Sequence, residues 1–137
     1  MQASLVKYIL LTILLVVLPL IIGISIYILF RGQDSIFTKA ELHPPTFLIY
    51  NLPDALWLFS LCNLLSLIWR AQWRTYALWY GSVTTLSVIT EYLQYNDIII
   101  GTGDIWDCVA YILACTTSIA IYCHLHSPSN NIHHVKH

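Results

Sequence analysis

The chain has 137 residues, of which 58% are hydrophobic and only 9% are charged, whereas soluble domains carry roughly 25% charged residues. A chain of this length forms one domain at most, and its formal net charge of −1 provides no basic field for nucleic acid. These values exclude an ordinary soluble domain and indicate an integral membrane protein.

The first long apolar segment runs from about residue 5 to residue 30. Because about 20 apolar residues span the roughly 30 Å hydrocarbon core of a bilayer, this segment is long enough to be a transmembrane helix. A signal peptide would have a shorter apolar stretch of about 7–15 residues followed by a small-residue cleavage site. The length of the segment therefore favours a transmembrane helix. Pro19 lies inside it, and proline is tolerated in membrane helices, where it favours a kink.

Three further transmembrane helices are predicted at about residues 52–69, 75–94 and 105–123. Pro53 stands at a position where prolines often begin helices, and Asp104 suits an N-cap of the last helix. The predicted fold is thus an all-α integral membrane protein, a bundle of four transmembrane helices forming a single domain over residues 1–123. A polar loop, residues 31–50, joins the first two helices, and residues 124–137 are predicted to form a polar, His-rich cytoplasmic tail.

The distribution of lysine and arginine predicts the orientation, because positive charges near helix ends favour the cytoplasmic side. With a cytoplasmic N-terminus, the inner side holds Lys7, Arg70, Arg74 and Lys136, and the outer side holds Arg31 and Lys39. Both termini are therefore predicted to be cytoplasmic. The opposite orientation remains an alternative, since the inner side leads by only four charges against two.

A polar pocket is predicted at the outer side, where three helices bring carboxylates together. Its expected lining residues are Asp54, Asn63, Glu91, Gln94, Asp104, Asp107 and Tyr111. The i,i+3 spacing places Glu91 and Gln94 on one helix face, and it does the same for Asp104 and Asp107. Asn63 lies about 13 Å deeper than Asp54 along the second helix.

Two interpretations of these carboxylates remain open. Asp54 and Asp104 suit helix caps in the hydrated interface, whereas Glu91 and Asp107 lie about one turn inside their helices. An ionisable group within a membrane segment is costly and usually marks function or specific pairing. The partner of the carboxylates could be Arg31 or Lys39 from the outer loop, or a divalent cation, but no defined metal site or cofactor is predicted.

The most distinctive pattern in the second half is Glu91-Tyr92-Leu93-Gln94, then Gly101-Thr102-Gly103-Asp104-Ile105-Trp106-Asp107, then Tyr111 and Ala114. This pattern resembles the C-terminal signature of the VanZ-like membrane proteins. In that signature E-x-x-Q, a short outer loop and R-x-x-D-x-x-D are followed by asparagine and glycine at helical spacing. The chain departs from it at Gly101, Tyr111 and Ala114, where the family usually has arginine, asparagine and glycine.

The resemblance covers about residues 50–123. It implies a protein of the bacterial cytoplasmic (inner) membrane that is linked to the cell envelope and, in the family's namesake, to antibiotic (teicoplanin) resistance. Together with the pocket it predicts a ligand that is lipid-linked or related to peptidoglycan. Because Gly101 replaces the family's arginine, the natural partner of an anionic group is missing.

Two other functions remain open. The chain could be a structural or accessory subunit of a larger membrane complex, with its acidic cluster paired to lysine or arginine of a partner protein. It could also translocate ions or protons, although a relay of ionisable residues across the membrane centre is missing. No catalytic motif is recognised, which favours a non-enzymatic role. The expected partners are the lipid bilayer, other membrane proteins or an envelope precursor, and not nucleic acid.

Overall fold

The computed structural model describes residues 2–31, 45–101 and 103–125, with side chains in the first of these ranges described from Leu5 to Phe30. This part of the chain is all-helical. Its helices are α1 (Gln2–Thr12), α2 (Leu18–Arg31), α3 (Thr46–Ile68), α4 (Trp73–Tyr95) and α5 (Ile105–Leu125). The predicted tail beyond residue 125 and most of the predicted loop 31–50, including Lys39, lie outside the described residues.

A π-helical turn, Ile13–Val17, joins α1 to α2. In this turn the backbone N–H of Leu18 donates to the carbonyl oxygen of Ile13, five residues earlier. Pro19 follows directly; it has no N–H, and its ring crowds the carbonyl four residues before it. Such wider turns interrupt α-helices locally. The irregularity expected at Pro19 therefore takes the form of a π-turn.

The start of α3 differs from the prediction. The helix begins at Thr46 rather than near residue 52, so Pro53 lies inside it and does not open it. Pro45 is the residue at the helix boundary, with non-helical backbone angles of φ −51° and ψ 133°. On the neighbouring helix, a Cβ added to Gly23 would lie 3.2 Å from the carbonyl oxygen of Pro53. Gly23 thus allows α2 to approach α3 closely beside Pro53.

Three helices of the described chain are long and apolar enough to cross a membrane: Leu5–Phe30, Thr46–Ile68 and Ile105–Leu125. The helix α4 has 23 residues, or about 34 Å of helix, which is long enough to cross a membrane. Its polar residues, however, make its mean hydropathy lower than that of the other three. Of the four predicted transmembrane helices, three therefore have both the length and the composition of a membrane span.

Burial in the bundle differs from that in a soluble protein. The buried polar side chains include Asn51, Ser60, Asn63, Ser66 and Ser118. By contrast, Leu5, Ile28, Leu78 and Ile112 are each more than half exposed. Membrane helices commonly pack through small and polar residues while large apolar residues face lipid. This surface therefore suits a protein that is surrounded by hydrocarbon.

The helix directions follow from contacts between side chains. Asn63 on α3 donates to Ser118 on α5 (3.1 Å), and Leu58 and Cys62 of α3 form the apolar core with Cys115 of α5. With a second contact near the starts of both helices, between Asn51 and Asp107 (2.7 Å), these pairs show that α3 and α5 run parallel.

The remaining helices run in the opposite direction. Tyr76 near the start of α4 stacks on Tyr122 near the end of α5, with ring centroids 4.1 Å apart, so α4 is antiparallel to α5. The guanidinium carbon of Arg70, after α3, lies 4.1 Å from the ring centroid of Tyr8 in α1. The start of α1 and the α3–α4 turn therefore share one end of the bundle. The other end, called the acidic end below, holds the starts of α3 and α5 and the end of α4.

Candidate ligand-binding site at the acidic end

A cavity of about 1040 Å³ lies at the acidic end, between α3, α4 and α5. The structure brings six of the seven predicted pocket residues to its wall: Asp54, Glu91, Gln94, Asp104, Asp107 and Tyr111. It does not bring Asn63 there. That residue is completely buried deeper in the bundle, where its amide donates to the Phe59 carbonyl oxygen (2.8 Å) and to Ser118. Asn63 therefore joins helices and does not line the cavity.

Glu91 is a buried carboxylate of the cavity wall with one oxygen that lacks a hydrogen-bond partner among the described residues. Only 8% of the residue is exposed. Its Oε1 accepts a hydrogen bond from the hydroxyl of Tyr111 (3.2 Å), whereas its buried Oε2 has no hydrogen-bond partner among the described residues. Leaving such an oxygen without a donor costs free energy, and an unsatisfied buried group in a native fold calls for an explanation such as a bound partner. A donor entering the cavity would supply that partner.

Asn51 is a site residue that the sequence prediction missed. Its side chain is almost fully buried at 3% exposure, and its Nδ2 donates to Oδ1 of Asp107 (2.7 Å) and, at 3.4 Å, to Oδ2 of Asp104. The amide therefore links the start of α3 to the start of α5. Asn51 stands three residues before Asp54, a spacing that places both on one helix face. That signal was lost because the predicted helix began only at residue 52.

Of the two aspartates interpreted as possible helix caps, Asp104 caps a helix in the structure and Asp54 does not. The Oδ1 of Asp104 accepts a hydrogen bond from the backbone N–H of Trp106 (3.0 Å), which is the geometry of an N-cap. Asp54 lies well inside α3, which begins at Thr46, so the cap interpretation is wrong for Asp54. It is half-buried and lines the cavity.

The connection between α4 and α5 closes one side of the cavity. The backbone N–H groups of Asp97 and Ile98 donate to the carbonyl oxygens of Gln94 (3.0 Å) and Leu93 (2.9 Å). This pair of bonds is a Schellman motif with Asp97 in the left-handed conformation at φ 56°. Further along, a Cβ on Gly103 would collide with the backbone of Tyr95. The connection therefore lies directly on the end of α4, next to Asp104.

The charge of the cavity wall is one-sided. Four carboxylates line it, and none of its described lining residues is a lysine or an arginine. Within the described ranges, no group of three or more histidine, cysteine, aspartate or glutamate residues could hold a metal ion. Two of the carboxylates, those of Asp104 and Asp107, meet at the amide of Asn51, whereas Glu91 reaches the cavity from α4. This arrangement suits an organic ligand with positive or hydrogen-donating groups.

No family model, curated protein or solved structure matches the chain. The resemblance to the VanZ-like signature therefore rests on the residues of the pattern themselves. Four of these residues, Glu91, Gln94, Asp104 and Asp107, line a single cavity. Gly101, at the position where the family usually has arginine, lines it too, so this position of the wall provides no cation.

Proposed function

We propose that the chain is a bundle of four transmembrane helices whose acidic cavity binds a ligand of the cell envelope through the ligand's amino groups. The observation that carries this proposal is the buried Oε2 of Glu91, an acceptor without a described partner in a cavity lined by three further carboxylates. An ammonium group offers three donors and a positive charge. It would satisfy this oxygen and reduce the repulsion among the carboxylates.

The hydrogen bonding of α4 supports its role as the fourth membrane span. Three of its hydroxyl groups are satisfied within the helix: Ser82 donates to the Leu78 carbonyl oxygen, Ser87 to that of Val83 and Thr90 to that of Leu86, at 2.8–3.0 Å. Polar groups in lipid must be satisfied in this way. Leu78 and Leu86 are also 68% and 63% exposed, which suits contact with hydrocarbon.

The proposed orientation follows from the positive charges. Lys7 precedes Tyr8, whose ring contacts Arg70. Arg74 lies in the first turn of α4, which begins at Trp73. These three cations are therefore grouped away from the acidic end. Because positive charges favour the cytoplasmic side, we infer that the cavity faces outward and that both termini are cytoplasmic. The resemblance to VanZ-like proteins supports the inner membrane of a bacterium as the location.

The resemblance to VanZ-like proteins supports a ligand that is lipid-linked or related to peptidoglycan. Peptidoglycan-related molecules carry amino groups, and amino groups donate hydrogen bonds that carboxylates accept. The missing arginine disfavours recognition through phosphate or carboxylate groups. The cavity therefore best supports an envelope ligand that is recognised through its amino groups.

The test is complementation of a deletion strain of the native host. Wild-type protein, the double variant Glu91→Gln/Asp107→Asn and the control Asp97→Asn would be expressed at levels matched in isolated membranes. Asp97 is a suitable control because it is exposed and outside the cavity wall. The double variant should fail to restore resistance to teicoplanin and to envelope stress, while the control should restore both. Full restoration by the double variant would refute the proposal.

A second candidate is an accessory subunit of a larger membrane complex. The observation that favours it is an exposed apolar group beside the cavity, in which Tyr95, Ile98 and Ile100 are 69%, 65% and 102% exposed. A partner covering this group could place a lysine or arginine against Glu91. Mild-detergent purification from native membranes tests this function, and recovery of the chain always without another protein would refute it.

A further inference from the structure

A second cavity, an apolar groove of about 430 Å³, lies along the side of the bundle. Its wall is formed mostly by apolar side chains, among them Val16, Leu20, Leu61, Leu64 and Val83. Asp54 and Tyr111 line both this groove and the acidic cavity. The acidic cavity and the apolar groove therefore adjoin at Asp54 and Tyr111. The carboxylates of the cavity lie toward the helix ends, and the apolar side chains of the groove lie toward the middle of the bundle.

The length of the groove matches one leaflet of a bilayer. From Asp54 to Leu64, α3 rises about 15 Å, and the hydrocarbon core of a bilayer is about 30 Å thick. A chain that began at Asp54 and followed the groove would therefore run about 15 Å along α3, which is about half the thickness of that core. A single hydrocarbon chain of a membrane amphiphile, which fills one leaflet, has about this length.

Tyr111 connects the two environments. Its hydroxyl donates to Oε1 of Glu91 (3.2 Å), while the residue also lines the apolar groove. Tyrosine commonly bridges such boundaries, because its ring is apolar and its hydroxyl is polar. The other oxygen of Glu91 is left for a donor on the cavity side.

We propose that the occupant of both spaces is a single-chain amphiphile with a positively charged primary amine. Its ammonium group donates to Oε2 of Glu91 in the acidic cavity, and its hydrocarbon chain fills the apolar groove. This inference rests on the proposed binding function and names the class of ligand. Charge complementarity selects the headgroup: four carboxylates, with no lysine or arginine among the described lining residues, attract a net cation and repel a headgroup that contains phosphate.

Photolabelling in phosphatidylcholine nanodiscs tests this occupant. The probe is a long-chain primary alkylamine with a diazirine in the middle of the chain, and two matched probes carry a carboxylate or a hydroxyl in place of the amine. The amine probe should label groove residues such as Leu61, Leu64 and Val83. Labelling should fall about tenfold in Glu91→Gln, since a charge-assisted hydrogen bond is lost, and the two matched probes should label the groove about tenfold less than the amine.

A pair of serine variants separates the groove from the acidic cavity. Ser87 lines the groove, whereas Ser82 is exposed on the same helix and lines neither space. Both hydroxyls donate to carbonyl oxygens of their own helix. Ser87→Phe should reduce labelling by the long-chain amine about tenfold, as expected when a chain loses its apolar site, and Ser82→Phe should leave it unchanged. Binding of ethylamine, which has no long chain, should be the same in both variants.

Equal labelling by the amine, carboxylate and hydroxyl probes would overturn the inference, because the groove would then hold any surrounding lipid. Displacement of the amine probe by phosphatidylethanolamine would overturn it as well, since the occupant would be a bilayer phospholipid. Ethylamine binding that depends on Glu91, without labelling of the groove, would reject the amphiphile and leave the proposed function standing. Failure of every amine to bind would reject both.

Discussion

Replacing Asn51 by alanine removes the described hydrogen bond that joins α3 to α5 at the wall of the acidic cavity. The amide of Asn51 donates to Asp107 at 2.7 Å in a buried site. Its second contact, to Asp104, is 3.4 Å long and contributes little at that distance. The variant therefore tests the buried bond to Asp107 almost alone.

The size of the effect can be worked from this geometry. A hydrogen bond to a charged group contributes about 1.5–3 kcal/mol, whereas hydrogen bonds between membrane helices contribute about 0.6 kcal/mol on average and about 1.7 at most. A short, charge-assisted bond belongs at the upper end of the membrane range, so we expect a loss of about 1.5 kcal/mol. For a chain of this size that corresponds to a decrease in Tm of roughly 4–8 °C.

The assay is thermal unfolding in one detergent, with Asn96→Ala as the matched control. Asn96 stands near the same end of the bundle, but it is exposed and its amide donates only to the Tyr92 carbonyl oxygen of its own helix (2.7 Å). We expect its Tm to change by no more than about 2 °C. Equal Tm values for the two variants would refute the role of Asn51 as the link between α3 and α5.

Three further substitutions test other parts of the acidic end by the same unfolding assay. Gly103→Ala should lower Tm by several degrees because its Cβ collides with the end of α4, whereas Gly81→Ala, with nothing within 4 Å, should not; equal stability would contradict the close packing of the connection. Tyr111→Phe should cost about 1 kcal/mol by removing the donor to Glu91, and an unchanged Tm would contradict that bond. Asp97→Gly should raise stability by about 1 kcal/mol because it relieves a left-handed backbone at φ 56°; a decrease would contradict the Schellman geometry.

The helices themselves were largely predictable, because long apolar segments specify membrane helices by length alone. The start of α3 was not. Proline is favoured at the beginning of a helix, yet it is also tolerated inside membrane helices, and the sequence pattern around Pro53 does not distinguish these cases. The structure does, since Pro45 is the non-helical residue directly before α3 and Gly23 leaves room for α2 beside Pro53.

The candidate site was predictable where it depends on spacing within one helix. Glu91 and Gln94, like Asp104 and Asp107, share a face through their i,i+3 spacing, and antiparallel packing brings the end of α4 to the start of α5. The partner of Asn63 was not predictable, because its bond to Ser118 depends on the axial register of two parallel helices. No local pattern specifies that register.

The apolar groove was the least predictable feature. Its wall draws on the π-turn, α2, α3, α4 and α5 together, and it exists because their side chains leave a space between helices. Single residues such as Leu61 or Val83 would serve equally well in a filled core. Only the packed structure distinguishes a groove from a core.

Native mass spectrometry of the protein released from its own membranes tests the binding cavity most directly. Wild-type protein and Glu91→Gln/Asp107→Asn would be released under identical conditions, and any retained molecule would be identified by its mass and charge. An amine-bearing molecule retained by the wild type and lost from the double variant is the predicted result. Wild-type protein that retains nothing, or retains the same molecules as the double variant, would contradict an acidic cavity that binds a ligand.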